Sequence, residues 1–448
     1  RMDLSPTERD TLFIDAGWFD STAGESALEL RFEAPFRELS ERDQPADGAH
    51  FLVRWDRQLS DTESFSVQAF ADEASRDWAI AGFERLTFDL DADFRIQRFE
   101  NHELLFGAGY RLVDSQLFDS NERVFVSPED RQEEVINLFA QDEITLVPDR
   151  WWLTLGSKFE YNDFPGWEIQ PNLRFLYKPS ATLSAWASVS RAVRTPGRAD
   201  RDYQFFLDVL PPANPALPPS AIGISASQEF ESEDLTAYEA GLKLRPLSNL
   251  TIDVSTYLFH YDEARGNRIV GTDCVPVGAG LPDCLFDPSS LVVATFLEQT
   301  NGAVSDSYGL EVSADWRPDS NWRVQGNISL FRGEEEGASE QDSVLNDSLQ
   351  TSPEVQASLR LGYLPARNWE LDVWMRYVDD IRSLDGVPID SYSTVDLRAA
   401  WVPSDKLELA FVVKSLLDDS QAQFLSQPVD VPLTAIQRSA FLQLRLDF

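Results

Sequence analysis

The sequence predicts an all-β fold, a large antiparallel transmembrane β-barrel with about eighteen strands present. Three observations lead to this prediction. Apolar and polar residues alternate along segments of about ten residues, turn residues separate these segments, and short connections alternate with long ones along the chain.

Composition excludes two classes of protein. The 448 residues include 38 Lys and Arg against 76 Asp and Glu, a formal net charge of -38, which argues against a nucleic-acid partner. With 43% hydrophobic and 12% aromatic residues, the chain also carries far more apolar surface than a disordered acidic tail. We therefore expect it to fold.

No segment has the length of a membrane-crossing helix. The longest apolar runs, such as Leu291–Leu297, are much shorter than the roughly 18 to 20 residues that a transmembrane helix needs. The first twenty residues are charged and polar, unlike a secretory signal. Either the protein is cytosolic or its true N-terminus lies upstream, and the strand pattern favours the second interpretation.

The strand prediction rests on a period of two. Between Trp369 and Tyr377, one face carries Trp369, Leu371, Val373, Met375 and Tyr377, and the other carries Glu370, Asp372, Trp374 and Arg376. A charged residue facing lipid at mid-membrane costs about 2 to 4 kcal/mol. The charged face should therefore line a wet lumen, and the apolar face should meet lipid.

Connection lengths favour a barrel over a soluble sandwich, which has no reason to sort its loops by end. Tight turns are predicted at 59–62, 148–150, 179–180, 246–249, 318–320, 365–367 and 403–405. Long loops are predicted at 20–49, 74–82, 114–132, 192–233, 263–294, 335–350, 381–389 and 419–435, with one short link near 163–166. The short turns should be periplasmic and the long loops extracellular.

The chain ends fit this scheme. The last strand, Ala440–Phe448, should run toward the short-turn side, and Arg1–Asp3 should end an earlier strand, with Leu4–Glu8 as its turn. Aromatic residues toward strand ends suit an interfacial girdle, with ordinary core packing as the alternative. These residues are Trp151, Trp152, Trp316, Trp322, Trp369 and Trp401.

The chain has two cysteines, Cys274 and Cys284, in a segment rich in Gly and Pro. A pair so close in a turn-forming loop predicts a disulfide, with two free thiols as the alternative. A metal site at this pair is not expected, because the three histidines lie far away in sequence.

Four segments resemble the β-barrel of TonB-dependent receptors. SVSRAVRTPGRADRD, from Ser188 to Asp202, is similar to a strand-to-loop passage of that family and includes Ser190, Arg191, Arg194 and Pro196. DLTAYEAGLKLR, with Tyr238 and Glu239, resembles the next descending strand. YGLEVSADW, with Gly309 and Glu311, resembles the Gly-(Leu/Val)-Glu strand, and FLQLRLDF resembles the closing strand, which ends in Phe448.

The resemblance covers the whole chain, residues 1–448, and implies a 22-stranded barrel normally plugged by an N-terminal domain with a TonB-box segment. The plug and about four strands lie outside this sequence. The resemblance further implies a Gram-negative outer-membrane location. Implied partners are the TonB energy-transducing complex, outer-membrane lipid and lipopolysaccharide, and the assembly machinery that reads Phe448. The implied ligand is a scarce nutrient, most often a ferric siderophore.

The densest basic stretch supplies the candidate ligand-binding residues, Arg191, Arg194, Arg198 and Arg201. They could meet an anionic ligand or a lipopolysaccharide phosphate. Pairing with Asp200, Asp202 and nearby lumen carboxylates is at least as well supported.

Enzyme motifs are lacking. The sequence contains no Gly-x-Ser-x-Gly, P-loop or His-Glu-x-x-His motif, so we expect no catalytic residues, no cofactor and no metal site. The primary hypothesis is a receptor for active uptake. The alternatives are a plug-free passive porin and a soluble secreted glycan-binding β-protein.

Overall fold

The computed structural model describes all residues except 79–80, 120–123, 213, 276–284, 286–290, 338–347, 383–386, 418–419, 423–434 and 447–448. The strands in the first half are β1 Met2–Thr7, β2 Asp10–Leu30, β3 Arg37–Ser60, β4 Glu63–Asp77, β5 Ala81–Ile96, β6 His102–Asp119, β7 Val124–Val126, β8 Asp130–Val147, β9 Trp151–Asn162, β10 Gly166–Ser180, β11 Leu183–Arg194, β12 Tyr203–Leu210 and β13 Ser220–Ser225.

The second half contains β14 Glu233–Leu247, β15 Leu250–Val275, β16 Val292–Trp316, β17 Trp322–Gly337, β18 Val355–Ala366, β19 Trp369–Val378, β20 Ile381–Arg382, β21 Pro388–Ile389, β22 Tyr392–Ser404, β23 Leu407–Lys414, β24 Ser420–Gln421, β25 Ile436–Gln437 and β26 Ser439–Leu446. A four-residue helix, α1 Arg198–Arg201, and a 3-10 turn, Ser348–Thr351, are the helical elements of the described part. Neither these nor any other helix among the described residues is long and apolar enough to cross a membrane.

One sheet of 22 strands dominates the molecule, and three of its members, β7, β12 and β13, belong to connections rather than to the wall. The other strands of this sheet follow one another antiparallel in chain order, as β16 pairs with β17 and β17 with β18. The predicted large antiparallel barrel is thus confirmed. The first strand is longer than expected, since β1 continues to Thr7 before its turn.

The two faces of the wall differ as the sequence predicts. Leu371, Leu409 and Phe411 lie on the outer face with 38%, 40% and 49% of their surface exposed. A sandwich would bury these side chains between two sheets, so their exposure fits the wall of a barrel and not a sandwich. We call this exposed apolar outer surface the outer belt.

Aromatic rings collect on the outer face at the short-turn end. Trp151 stacks on Tyr177 with ring centroids 3.8 Å apart, and Trp322 stacks on Tyr363 at 4.3 Å. This arrangement matches an interfacial girdle. Trp152 differs, because a period of two turns it to the lumen, where the Lys178 ammonium lies 4.9 Å from its ring centroid.

The tight turns lie at or within two residues of their predicted positions, and several of the predicted loops contain strand among the described residues. β2 and β3 stay paired up to Leu30 and Arg37, so the expected loop 20–49 is a tall hairpin with a short tip. The reason is physical: alternation marks a strand with one apolar face, and a strand with water on both faces needs none. The alternation disappears while the backbone ladder continues.

The long-loop end is built as a packed assembly, which we call the cap. It comprises the hairpin tip 28–37, β7, α1, β12, β13 and the outer parts of β15 and β16. β7 pairs with β12, β12 with β13, and β13 pairs in parallel with β16. The loops are thereby joined to one another through backbone hydrogen bonds.

The cap has its own apolar core. Phe206 is fully buried and contacts Phe32 edge-on, with ring centroids 5.2 Å apart. The buried members of this cluster are Leu30, Phe32, Phe206, Val209, Ala221, Val292 and Ala294. In the wall, six strands separate β3 from β11, yet the tip of the β2–β3 hairpin meets the β12–β13 hairpin that follows β11. The cap therefore lies across the opening of the barrel.

Candidate functional site

The candidate arginines lie where β11 leaves the wall and enters the cap. Pro196 ends the strand because it lacks an N–H for the ladder. The chain then turns at Gly197, whose N–H donates to the Asp200 carboxylate at 2.9 Å, and forms α1. Local chemistry thus fixes the position of the basic stretch.

Arg198 and Asp202 form the buried centre of this region. The Asp202 side chain is fully buried and accepts hydrogen bonds from Arg198 Nε at 2.7 Å and Arg131 Nη2 at 2.6 Å. Arg198 also donates to the Ser115 carbonyl and hydroxyl at 3.0 and 3.1 Å. A charge that leaves water so completely is tolerated only when paired in this way.

A second group joins the end of β11 to β14 and β15. Arg194 binds Glu233 through two nitrogens, at 2.6 and 2.9 Å, and contacts Asp200 at 3.4 Å. Arg265 on β15 donates to the same Asp200 carboxylate. This bidentate geometry is the strong form of an arginine–carboxylate contact.

The remaining two candidates are also engaged. Arg191 pairs with Asp234 and with Glu168, the latter at 3.1 Å. Arg201 donates to the backbone carbonyls of Phe164 and Phe230.

The four arginines therefore link α1, the wall and the neighbouring loops through ion pairs and hydrogen bonds. The sequence-level alternative, pairing with Asp200 and Asp202, describes the geometry of Arg194 and Arg198. Ligand binding by the four residues stays a prediction. Sequence reasoning missed Arg131 and Arg265, because they come from distant strands and no local pattern marks them.

Glu133 lies beside this buried centre, above the level where β9 stops pairing with β8. Burial raises the pKa of the Glu133 carboxyl above its ordinary value, although Arg198 and Arg131 oppose the shift. The outer part of β8, beside the cap, thus holds a carboxyl group whose charged form is disfavoured.

The lumen wall carries a second, more open series of ion pairs. Arg323 pairs with Asp315, Arg360 with Asp372 at 3.0 Å, and Arg376 with Asp396 at 2.6 Å. Arg398 joins Glu370, Asp372 and Glu408. All of these side chains alternate with outer-belt residues, so the lumen is charged but nearly balanced along this wall.

The family-motif residues fall on β11, β14 and β16. Ser190 pairs with Ala237 across the ladder, and Glu239 accepts a hydrogen bond from the Ser188 hydroxyl at 3.3 Å. Tyr238 is exposed on the outer face, level with Tyr308. Glu311 lies on the lumen face of β16, opposite Ser255.

Steric crowding explains why position 309 is a glycine. A Cβ at this position would lie 2.4 Å from Tyr257 Oη and 2.6 Å from the Leu330 carbonyl, so only glycine lets the tyrosine ring lean across β16.

Two sequence predictions touch residues outside the described part. Cys274, buried at the end of β15, is disulfide-bonded, but Cys284 lies outside the described residues, so their pairing stays a prediction. Phe448 also lies outside them.

Comparison with known proteins gave a consistent picture. A family model described as TonB dependent receptor-like, beta-barrel, matches residues 7–414. A search of curated proteins found no match.

Several solved structures have a similar fold. A mutant of the ferric enterobactin receptor PfeA from Pseudomonas aeruginosa gives a TM-score of 0.73 at 13% identity, covering 100% of this chain and 68% of that one. The siderophore receptor PirA from Acinetobacter baumannii gives 0.72 at 14%, covering 100% and 69%. The FrpB iron transporter from Neisseria meningitidis gives 0.70 at 13%, covering 98% and 70%. At such identities the likeness shows the fold alone.

Proposed function

This chain belongs to the TonB-dependent receptor family, and from that premise we propose that it is the barrel of an outer-membrane receptor for active uptake of a ferric siderophore or a similar metal chelate. The observation that carries the proposal is the pairing of an outer belt suited to lipid with a cap that lies across the opening. Solved structures of this fold include a ferric enterobactin receptor, a siderophore receptor and an iron transporter.

The cap distinguishes an uptake receptor from an open pore. A passive porin needs an unobstructed channel, whereas here distant loops share one buried core across the opening. A ligand that enters must therefore be recognised at the cap, and its passage needs an energy source. We attribute that energy to the TonB complex, acting through a plug domain that the family implies upstream of the barrel.

The test is uptake in a Gram-negative host that lacks its own siderophore receptors and carries the gene for this protein. A panel of iron-55 chelates is supplied with TonB present and with TonB deleted. We expect accumulation of at least one chelate only when TonB is present. Entry of chelates and of an unrelated small dye regardless of TonB would identify a passive porin instead.

A further inference from the structure

A histidine–carboxylate pair lies on the outer belt, where the surrounding side chains are apolar. His102 Nδ1 and the Asp142 carboxylate are 2.8 Å apart, and the two side chains are 42% and 26% exposed. We propose that this pair marks an interface between two copies of the protein, which associate side by side in the membrane. This inference goes beyond the proposed function and does not depend on the transported ligand.

The strand register places Asp142 on the outer face of the wall. Its partner on β9 is Leu155, which keeps 43% of its surface exposed, and its partner on β6 is Leu104. Along β8, Ala140 and Ile144 share the face of Asp142, because the side-chain period of a strand is two. Asp142 therefore has apolar neighbours along its own strand and on both adjacent strands.

The pair lies inside the belt and not at its edge. On the outer face of β9, Leu155 lies two outward positions beyond Trp151 of the aromatic girdle, so its partner Asp142 lies at that depth too. Farther toward the long-loop end of β8, Leu138 and Ile136 continue the exposed apolar surface. Ionisable side chains at such a depth are costly against lipid, and in membrane proteins they mark functional contacts.

A second pair shows the same contact outside the belt. His260 Nδ1 is 2.8 Å from Asp306 on the outer face of β15 and β16, but the register neighbours of this pair are Thr236 and Glu334. Polar residues surround the second pair, as they do on a surface that meets water. Water therefore explains the position of the second pair but not that of the first.

The wall does not fill the hydrogen-bonding capacity of the first pair. Asp142 Oδ1 is buried and has no hydrogen-bond partner in the part of the chain that the structure describes. His102 contacts the carboxylate through Nδ1, and no described residue bonds its Nε2 atom. The half-exposed imidazole is thus open to a neighbour in the membrane. Ala140 and Ser157, which pair across β8 and β9, are small and let another surface approach closely.

A second copy of the chain is the partner that fits this surface. A twofold axis along the membrane normal keeps every residue at its own depth, so a copy placed beside His102 brings a polar pair to the same level. The contact is self-complementary, because each copy offers an imidazole and a carboxylate to the other. An unrelated partner would need a matching polar group at this one depth.

The test measures association of the purified full chain in lipid vesicles, by energy transfer between donor-labelled and acceptor-labelled copies at rising lipid-to-protein ratios. The double variant His102→Leu/Asp142→Leu removes both polar groups together, so no charge is left unpaired and the belt stays apolar. We expect it to insert like the wild type but to associate about tenfold more weakly. His260→Leu/Asp306→Leu is the matched control and should associate like the wild type.

Single cysteines locate the interface. Leu155→Cys lies beside the pair and should form a disulfide with its own copy under mild oxidation, because residues near a twofold axis meet themselves. Leu371→Cys, comparably exposed on the outer belt of β19, should not. Cys274 is already disulfide-bonded and does not compete.

The inference fails if the wild type stays monomeric at every protein density, or if the His102→Leu/Asp142→Leu variant associates as tightly as the wild type. An equal loss of association in the His260→Leu/Asp306→Leu control, or cross-linking through Leu371→Cys alone, would overturn it too. Association needs neither TonB nor a chelate, so this result and the uptake test can fail independently of each other.

Discussion

The outer belt and the cap use the same residue types on the same kind of strand, but for opposite surroundings. Phe411 in the belt keeps 49% of its surface exposed, whereas Phe206 in the cap is fully buried. The first side chain faces outward from the wall, and protein atoms surround the second. The comparison teaches that alternation identifies a strand, while only the neighbours decide what an apolar side chain contributes.

The same contrast holds for charge. Asp202 in the cap is closed off from water between Arg131 and Arg198, whereas Asp315 on the lumen wall keeps 34% of its side chain exposed beside Arg323. Because the ion pair in the cap is buried, the loss of any one partner should be strongly destabilising. Water screens the lumen pair, which should tolerate the loss of one member.

The sharpest test of the comparison is removal of a phenyl ring from each region. Phe206→Ala leaves a cavity in a closed core and should destabilise the cap by about 3 to 5 kcal/mol. Phe411→Ala leaves space that lipid fills and should cost less than about 2 kcal/mol. Limited proteolysis of the long-loop end in intact cells measures the first effect, and thermal unfolding in detergent measures the second. Equal costs would mean that the cap has no core of its own.

Removal of a carboxylate should likewise destabilise the cap more than the lumen wall. Asp202→Asn leaves Arg131 and Arg198 without a charged partner in a buried site, and we expect a loss of about 3 to 5 kcal/mol in cap stability. Asp315→Asn should cost less than about 1 kcal/mol. Protease protection of the cap and urea unfolding of the barrel report the two values. A small effect at Asp202 would contradict the buried pairing.

A charge added to the wall tests which face meets lipid. Leu155→Arg places a guanidinium on the outer belt and should cost about 2 to 4 kcal/mol. Thr154→Arg, one residue earlier, points into the lumen between Glu143 and Arg174 and should cost less. The fraction of each variant recovered as folded barrel after refolding into lipid vesicles gives the comparison. Similar recovery of both would reverse the assignment of faces.

The smallest expected effect concerns pH at Glu133, on the outer part of β8 beside the cap. Because burial raises the pKa of Glu133, its contribution to folding is fully present below about pH 4 and declines as the pH rises through the folded pKa. Glu133→Gln removes this decline. The variant should therefore gain protease protection relative to the wild type as the pH rises toward neutrality, and match it in acid. A gain confined to acid would contradict the direction of the shift.

The fold could be predicted from the sequence because the membrane imposes a rule on single residues. Each outward side chain must be apolar, so residues such as Leu371 and Glu370 reveal their faces without knowledge of their neighbours. The tight turns follow from local Pro, Asp and Ser chemistry in the same way. Both signals lie within a few residues along the chain.

The cap could not be predicted, because its pattern depends on partners far away in sequence. Segment 20–49 lacks an apolar face and so resembles a loop, although its backbone pairs as a hairpin. Phe206 is buried by Phe32 and Val292, which no local period connects to it. The arginines at the end of β11 were visible as a cluster, but their carboxylate partners became evident only in three dimensions.

The cap core also implies an order of events during biogenesis. Its contacts join residues near 30, 206 and 292, and β13 adds to β16 in parallel. Contacts so distant along the chain cannot form until the strands that carry them are side by side. We therefore expect the cap core to form late, after the strands that carry its residues have paired in the wall, so that the opening is covered last.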